Sequence, residues 1–388
     1  KPALGFMKSK GLDPENVYFK QVGNAEYLFG TIKQSGKETA EILKNIIPTA
    51  IKNVTFPKAM RWGGKNMKFA RPIRWMVALL NDEVLPINLE GIVASNVTKG
   101  HRFLGRKEIE VFSIEDYFKQ LSKNFVVLDQ NVRKEAIKSQ AEEVAKSLGG
   151  EVEIEDDLLE EITYLVEYPT AFYGEFNADY VKLPKEVVTT PMQQHQRYFP
   201  VVKDGKLLPN FIAVRNGNDY RIDIVKAGNE KVLEARLADA LFFYDEDIKK
   251  PLESFVENLK TVVFQAKLGT VYDKTLRIEN LSSNIIDLLN LQQDKEDAKR
   301  AAKLCKADLV TGMVFEFTEL QGIMGREYAR VSGENEAVLN KFLAIHKNFI
   351  IDPVSYKGAP QAIDGMITTY PPRDHMDGFF MARMKRLS

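Results

Sequence analysis

The sequence predicts an α+β protein: a mixed N-terminal region with antiparallel hairpins, then an α-helical region. Three observations carry that expectation. Short alternating runs bounded by turn residues recur up to about residue 216, among them Asp204-Gly205 between two apolar runs. Helical and strand-like stretches follow one another there without the regular strand–helix–strand rhythm of a parallel sheet. After Gly228 the apolar spacing turns to three and four, as at Ile278, Leu281, Ile285 and Leu288.

The elements follow in order. Residues 27–32 read as a strand, and 37–47 as an amphipathic helix that Pro48 should stop. Residues 74–80 and 84–89 read as a hairpin turning at Asn81, Asp82 and Glu83. Ser113 opens a helix, with Asp116 three residues on as its capping-box partner. Residues 131–148 form the next helix, and Gly149-Gly150 is its stop. A short helix over 157–166 precedes a strand near 171–173. Residues 196–202 and 207–214 pair as a second hairpin across a type I′ Asp-Gly turn. Helices are then expected at 229–248, 252–262, 273–289 and 294–329. The expected division is 1–227, 228–336 and a divergent tail 337–388, with the first boundary near residues 227–251.

Composition narrows the class. The 388 residues are 44% hydrophobic and 28% charged, which excludes a mainly disordered or collagen-like chain. The one cysteine, Cys305, excludes an intramolecular disulfide framework and a cysteine-rich zinc site. No run of 18 apolar residues is present to span a membrane, and the first residues carry no apolar signal segment. A cytoplasmic protein is expected. The chain does not open with methionine, which suggests a piece of something longer.

Lysine plus arginine number 54 against 54 acids, yet the charge is segregated. Residues 57–107 hold ten bases and three acids, a balance of +7. Residues 151–161 hold seven acids and no base. In the basic stretch Arg61, Arg71, Arg74 and Arg102 are interleaved with Trp62, Phe69, Trp75, His101 and Phe103. Guanidinium groups release counterions from phosphates, and exposed rings stack on unpaired bases, so this stretch is a candidate RNA-binding surface. A solvated basic face is the plainer reading of the same residues.

Catalytic signatures are missing. There is no GxxxxGK[ST] loop, no GxGxxG and no HExxH, and His101, His195, His346 and His375 are scattered. Glu316 and Glu319 share a helical face and could bind a metal, but an exposed or capping pair is commoner. Cys305 reads as a buried small hydrophobe with no histidine nearby to activate it. The string Met192-Gln-Gln-His-Gln-Arg-Tyr-Phe199 offers amide, imidazole, guanidinium and phenol groups for base edges or a ribose hydroxyl. It reads equally as a strand with a solvated polar face. Arg236 and Asp239 read as a structural ion pair on one helix.

Several strings resemble, in the same order, the β subunit of bacterial glycyl-tRNA synthetases. They are Phe56-Pro-Lys-Ala-Met-Arg-Trp-Gly63, Phe69-Ala-Arg-Pro-Ile-Arg-Trp75, Thr98-Lys-Gly-His-Arg-Phe103 and Gln194-His-Gln-Arg-Tyr-Phe199. Gly228-Asn-Glu-Lys-Val232, Arg236-Leu-Ala-Asp-Ala-Leu-Phe-Phe243, Phe264-Gln-Ala-Lys-Leu-Gly269 and the block 306–325 continue the likeness to about residue 336.

The resemblance implies a B3/B4-like region and then a degenerate HD-like helical domain. It implies a non-catalytic subunit that binds tRNA(Gly) and partners an α subunit in an α2β2 assembly. ATP and Mg would be used on the α subunit, with no cofactor and no metal on this chain. The tRNA contacts expected are Arg61, Trp62, Arg71, Arg74, His101 and Arg102, then His195, Gln196, Arg197 and Tyr198. The alternative is a stand-alone hydrolase, either an HD-type phosphohydrolase or an aminoacyl-tRNA deacylase.

Beyond Glu334 the likeness breaks. The stretch 363–383 resembles the C-terminus of Sun-type 16S rRNA cytosine-5 methyltransferases, without that family's S-adenosylmethionine loop or catalytic cysteines. A tail of roughly 50 residues cannot form such an enzyme by itself. Residues 337–388 are therefore expected to pack poorly on the rest.

Overall fold

The computed structural model describes residues 2–32, 36–292 and 295–341, and the backbone of strands at 349–352, 366–368 and 380–386. The α+β expectation holds: helices alternate with small antiparallel sheets. The chain divides into two compact units, 1–128 and 129–388. The boundary expected near residues 227–251 falls instead on a continuous helix, Ile222–Asp247.

In the first unit, α1 (Pro2–Lys10) precedes a hairpin of β1 (Val17–Val22) and β2 (Ala25–Gly30). Next comes α2 (Thr39–Asn53), which runs through Pro48 rather than stopping there. Proline removes one helical N–H, but side-chain donors take other carbonyls in the same turns. Asn45 Nδ2 donates to Glu41 O and Thr49 Oγ1 to Asn45 O. Ala40, Leu43 and Ile47 pack on a small core of Leu85, Ile87 and Ala94, and that burial holds the helix beyond its proline.

The hairpin expected over 74–89 shrinks to two-residue rungs. They are β3 (Leu79–Leu80) with β4 (Glu83–Val84), and β5 (Asn88–Leu89) with β6 (Ile92–Val93). A parallel bridge from Val77 to Ser95 and the pair β7 (Val97–Thr98) with β8 (Ile109–Glu110) complete this framework. Helix α3 (Ile114–Lys123) starts at Ser113, whose side chain accepts from Asp116 N, but the capping box is incomplete: Asp116 Oδ2 accepts from Phe112 N rather than from Ser113 N.

The second unit is built on a four-stranded antiparallel sheet ordered β10–β12–β11–β9. These strands are β9 (Glu151–Val152), β10 (Pro169–Glu175), β11 (Phe199–Lys203) and β12 (Lys206–Asn216). Period-two alternation divides its side chains. Phe199, Val201 and Ile212 face α4 (Gln130–Ser147) and α5 (Asp156–Leu165), meeting Ile137, Ala141, Leu158 and Ile162. Phe211 and Ala213 face the other way, into a core with Leu233 and Leu237 of α7 (Ile222–Asp247). Val187 and Val188 of α6 (Lys185–Thr190) join the same core. Gly174 is required here, because a Cβ would lie 2.2 Å from Phe211 Cζ. The β11–β12 turn has Asp204 at φ 51° and Gly205 at φ 75°, as the Asp-Gly pair predicts.

One core runs from the sheet into the helical part, from Phe172 to Leu339. The helix expected over 252–262 is a 3-10 helix, Leu252–Thr261. It leads through β13 (Val263–Gln265) and β14 (Gly269–Thr270) to α8 (Val271–Leu289). The long helix expected over 294–329 is broken. It becomes α9 (Lys295–Leu304), α10 (Gly312–Glu316) and α11 (Ile323–Val331), with 3-10 turns between them.

Two buried carboxylates organise those breaks. Asp247 accepts from Gly312 N, Met313 N and the Tyr328 hydroxyl, each at 2.9 Å. Asp308 Oδ2 accepts from Gly322 N at 2.5 Å and Gly325 N at 3.1 Å. Each caps a helix N-terminus from outside its own segment.

Helix α12 (Glu336–Lys341) follows, with Val338 and Leu339 buried. The start of the expected poorly packed tail is thus part of the core. Most of the stretch resembling the methyltransferase C-terminus lies outside the described residues. Among the described residues no helix is long and apolar enough to cross a membrane.

Candidate nucleic-acid interface

The basic stretch is folded into two presented loops on the first unit. An antiparallel bridge joins Met60 to Phe69, so residues 60–69 form a closed loop. Its turn has Lys65 N donating to Trp62 O and both Gly63 and Gly64 at positive φ, 54° and 69°. Glu90 holds this loop from below. Its Oε2 accepts from Asn66 N and Met67 N at 3.1 Å, and its Oε1 pairs with Lys52 of α2 at 3.2 Å. Lys65 Nζ bonds the Glu90 backbone carbonyl. These backbone donors, with Lys52, hold the Glu90 carboxyl below its ordinary value.

Arg61, Arg71, Arg74 and Arg102 are exposed, and Trp62 is half-buried. Among the described residues none of these arginines takes part in an ion pair, so their charge faces solvent. Trp75 is exposed, and Lys99 Nζ stands 5.2 Å from its ring centroid. The Val77–Ser95 bridge therefore brings the 71–77 segment beside the residues leading into the second loop.

That second loop, residues 100–106, corrects the expectation for His101. The residue is 2% exposed, with no ring face open to a base. Its Nδ1 accepts from Phe103 N and Leu104 N, and its backbone bonds Asn124 O and Gly105 N. Gly100 and Gly105 close on Asn124, where a Cβ on Gly105 would lie 2.6 Å from Asn124 O. His101 is the anchor, and what it presents is Arg102 and Phe103. Phe103 is 85% exposed and is the stacking ring of this loop, although the tRNA contacts expected from the family resemblance do not include it. Its sequence signal is its place among the arginines and rings of the basic stretch.

The second group belongs to the other unit, and there the expected strand is a π-helix, Pro191–Gln196. Arg197 closes it at φ 58°, donating from Nη1 to Gln194 O and His195 O and from Nε to Glu161. Such a turn widens the helix and aims its last residues at neighbouring elements. His195 Nε2 lies 3.4 Å from Glu319 Oε1, with its ring stacked on Phe317. Tyr198 is 5% exposed, stacked on Phe211 at 4.5 Å, with its hydroxyl bonded to Asn229. Burial pushes that phenol up to about 12. Tyr198 is therefore core and not a stacking surface. Gln196, half-buried, lines a cleft of about 360 Å³ with Arg215 and Asn229.

The remaining candidates resolve into structure. Glu316 pairs with Arg236, replacing the expected Arg236–Asp239 pair, and Glu319 pairs with His195. Cys305 is half-buried and its thiol is pushed up by burial, away from a nucleophile's range. Among the described residues no three His, Cys, Asp or Glu side chains cluster as metal ligands.

An α+β scaffold with exposed arginines and aromatics on anchored loops defines a protein class suited to binding a polyanion with stackable rings. The comparisons narrow it. The glycyl-tRNA synthetase beta subunit family profile matches residues 1–350, past Glu334, where the sequence reading ended the likeness. The glycine–tRNA ligase beta subunit of Clostridioides difficile is 74% identical over 338 residues, 87% of this chain and 49% of its own length. That of Syntrophomonas wolfei is 47% identical over 348 residues, 88% of this chain and 50% of its own. The Bacillus subtilis protein is 45% identical over 340 residues, 87% and 50%. The chain belongs to the glycyl-tRNA synthetase beta subunit family. It spans about half the length of the curated relatives it matches.

Proposed function

We propose that this chain is the tRNA-binding part of a glycine–tRNA ligase β subunit, holding tRNA(Gly) while a separate α subunit charges it. In this reading the partner assembly is α2β2, ATP and Mg are handled on the α subunit, and the chain works in the cytoplasm. Residues 1–227 are read as a tRNA-binding, B3/B4-like region and residues 228–336 as a degenerate HD-like domain. The segment after residue 350, beyond the matched region, is read as divergent from the family.

The observation that supports it most is the pair of anchored loops. Glu90 and His101 consume polar groups inside the unit and leave Arg61, Arg71, Arg74, Arg102 and Phe103 facing outward. Charge on rigid loops binds phosphates at low ordering cost.

A stand-alone phosphohydrolase or deacylase has no comparable support: the buried carboxylates Asp247 and Asp308 are engaged as helix caps. The test is direct binding of tRNA by the chain over a salt series, then charging with purified α subunit and tRNA. Binding that falls linearly in log–log form with salt supports the reading. Salt-independent binding, or none, overturns it.

A further inference from the structure

We propose that the cleft beside Glu90 seats one unstacked nucleotide of the bound RNA; this rests on the tRNA-binding reading above. The cleft, about 450 Å³, has Lys52, Phe56, Ala59, Asn66, Met67, Lys68 and Glu90 in its lining. Its chemistry is divided. Phe56, Ala59 and the buried Met67 give its lining apolar surface, and Lys52, Lys68 and Asn66 give it polar groups. Phe69 holds the Phe56 ring edge-on, with centroids 4.7 Å apart and planes at 70°.

A lining of apolar surface beside an uncompensated cation matches a base and the phosphate attached to it. It matches an apolar peptide poorly, because Asn66 and Lys68 in that lining are exposed polar groups. The one acid present, Glu90, is paired with Lys52, which leaves the charge of Lys68. The Glu90 carboxylate is occupied by Asn66 N, Met67 N and Lys52, and Lys65 lies on its backbone carbonyl. Lys68 is exposed and, among the described residues, forms no ion pair. A paired base inside a duplex cannot enter such a recess, so the cleft selects unpaired nucleotides.

Glu90 acts as a positioning residue. It sits at φ 49° in the β5–β6 turn and fixes the backbone of Asn66 and Met67, which belong to the lining. Without that carboxylate the Asn66–Met67 backbone loses the acceptor that holds it.

The test compares a single-stranded oligonucleotide with a hairpin duplex of equal phosphate number, alongside tRNA. Ala59→Trp fills the recess without changing charge. It should lower single-strand affinity by about tenfold, leaving the salt slope and duplex binding unchanged. Lys68→Ala should reduce the single-strand salt slope by about 0.7. Glu90→Ala should mimic Ala59→Trp, with Glu90→Gln restoring part of the loss because its amide oxygen still accepts from the two N–H groups. Circular dichroism checks each fold, and Lys68→Ala, at an exposed position, keeps the test open if Ala59→Trp misfolds. Wild-type-like single-strand binding by both Ala59→Trp and Lys68→Ala, with weakened binding by an Arg71→Ala/Arg74→Ala variant, overturns the cleft and spares the tRNA reading. Equal losses on duplex and single strand also overturn it. Absence of RNA binding by the wild-type chain overturns both.

Discussion

The Tyr328 hydroxyl donates to Asp247 Oδ2 at 2.9 Å inside the core, joining α11 to the end of α7 across 81 residues of sequence. The same carboxylate accepts from Gly312 and Met313, so one side chain ties three segments together. Burial and the neighbouring carboxylate push the Tyr328 phenol up, well above its ordinary value. Asp247→Ala leaves three buried donors without partners and should cost about 3 kcal/mol or more. Tyr328→Phe removes one bond and should cost about 1 kcal/mol. Urea unfolding of the two variants gives the comparison, and equal losses would refute the shared-cap account.

Asp308 has the opposite character. Its Oδ2 caps α11, while its buried Oδ1 has no hydrogen-bond partner among the described residues, and burial raises its carboxyl above the ordinary value. The folded chain therefore holds the proton to higher pH than the unfolded chain. Stability falls as pH rises from about 3.8 through the raised folded value, then levels off. Asp308→Asn keeps the accepting oxygen and removes the charge. It should flatten that fall and equal or exceed wild-type stability at pH 7, whereas Asp308→Ala loses about 2 kcal/mol.

The sign reverses at Glu90, whose carboxyl is held below its ordinary 4.5 by backbone donors and Lys52. Its stabilisation is present above pH 4.5 and is lost as pH falls through the depressed folded value. Glu90→Gln should flatten the acid limb of unfolding for the first unit. Amide exchange at Asn66 and Met67 is the local readout, and it should speed up in Glu90→Ala.

Among the described residues Arg71 and Arg74 form no ion pair. Replacing both with alanine should leave thermal stability within about 0.5 kcal/mol of wild type. It should weaken tRNA binding and lower the salt slope by about 1.5 if each contacts a phosphate. An unchanged slope excludes this patch as the contact.

His101 and Gly105 test loop presentation. Gly105→Ala drives a Cβ into Asn124 O and His101 N, both backbone atoms at 2.6 Å. Melting should fall for the first unit, and RNA binding should fall with it. Phe103→Ala, at an exposed ring, should reduce binding without lowering the melting temperature.

What was legible in the sequence was whatever local chemistry decides. The Ser113 cap, the helix stop at Gly149-Gly150 and the Asp204-Gly205 turn depend on neighbours within four residues, and the structure has all three. The family could likewise be read from ordered strings, and the segregated charge from counting. The departures share one cause, since each depends on residues far along the chain. Pro48 lies within α2 because Leu85, Ile87 and Ala94 bury that helix's apolar face. The helix expected over 294–329 breaks because Asp247 caps α10 from 65 residues before Gly312, and Asp308 caps α11 from 14 residues before Gly322.

For the interface, the sequence by itself determined which residues carry charge and rings. Only the tertiary structure decided which of them face solvent. His101 and Tyr198 look the same in sequence as Arg102 and Phe103, residues able to touch RNA. Packing against Asn124 and Phe211 takes the first two inside and leaves the second two out, because side chains compete for a fixed interior volume that no single segment defines.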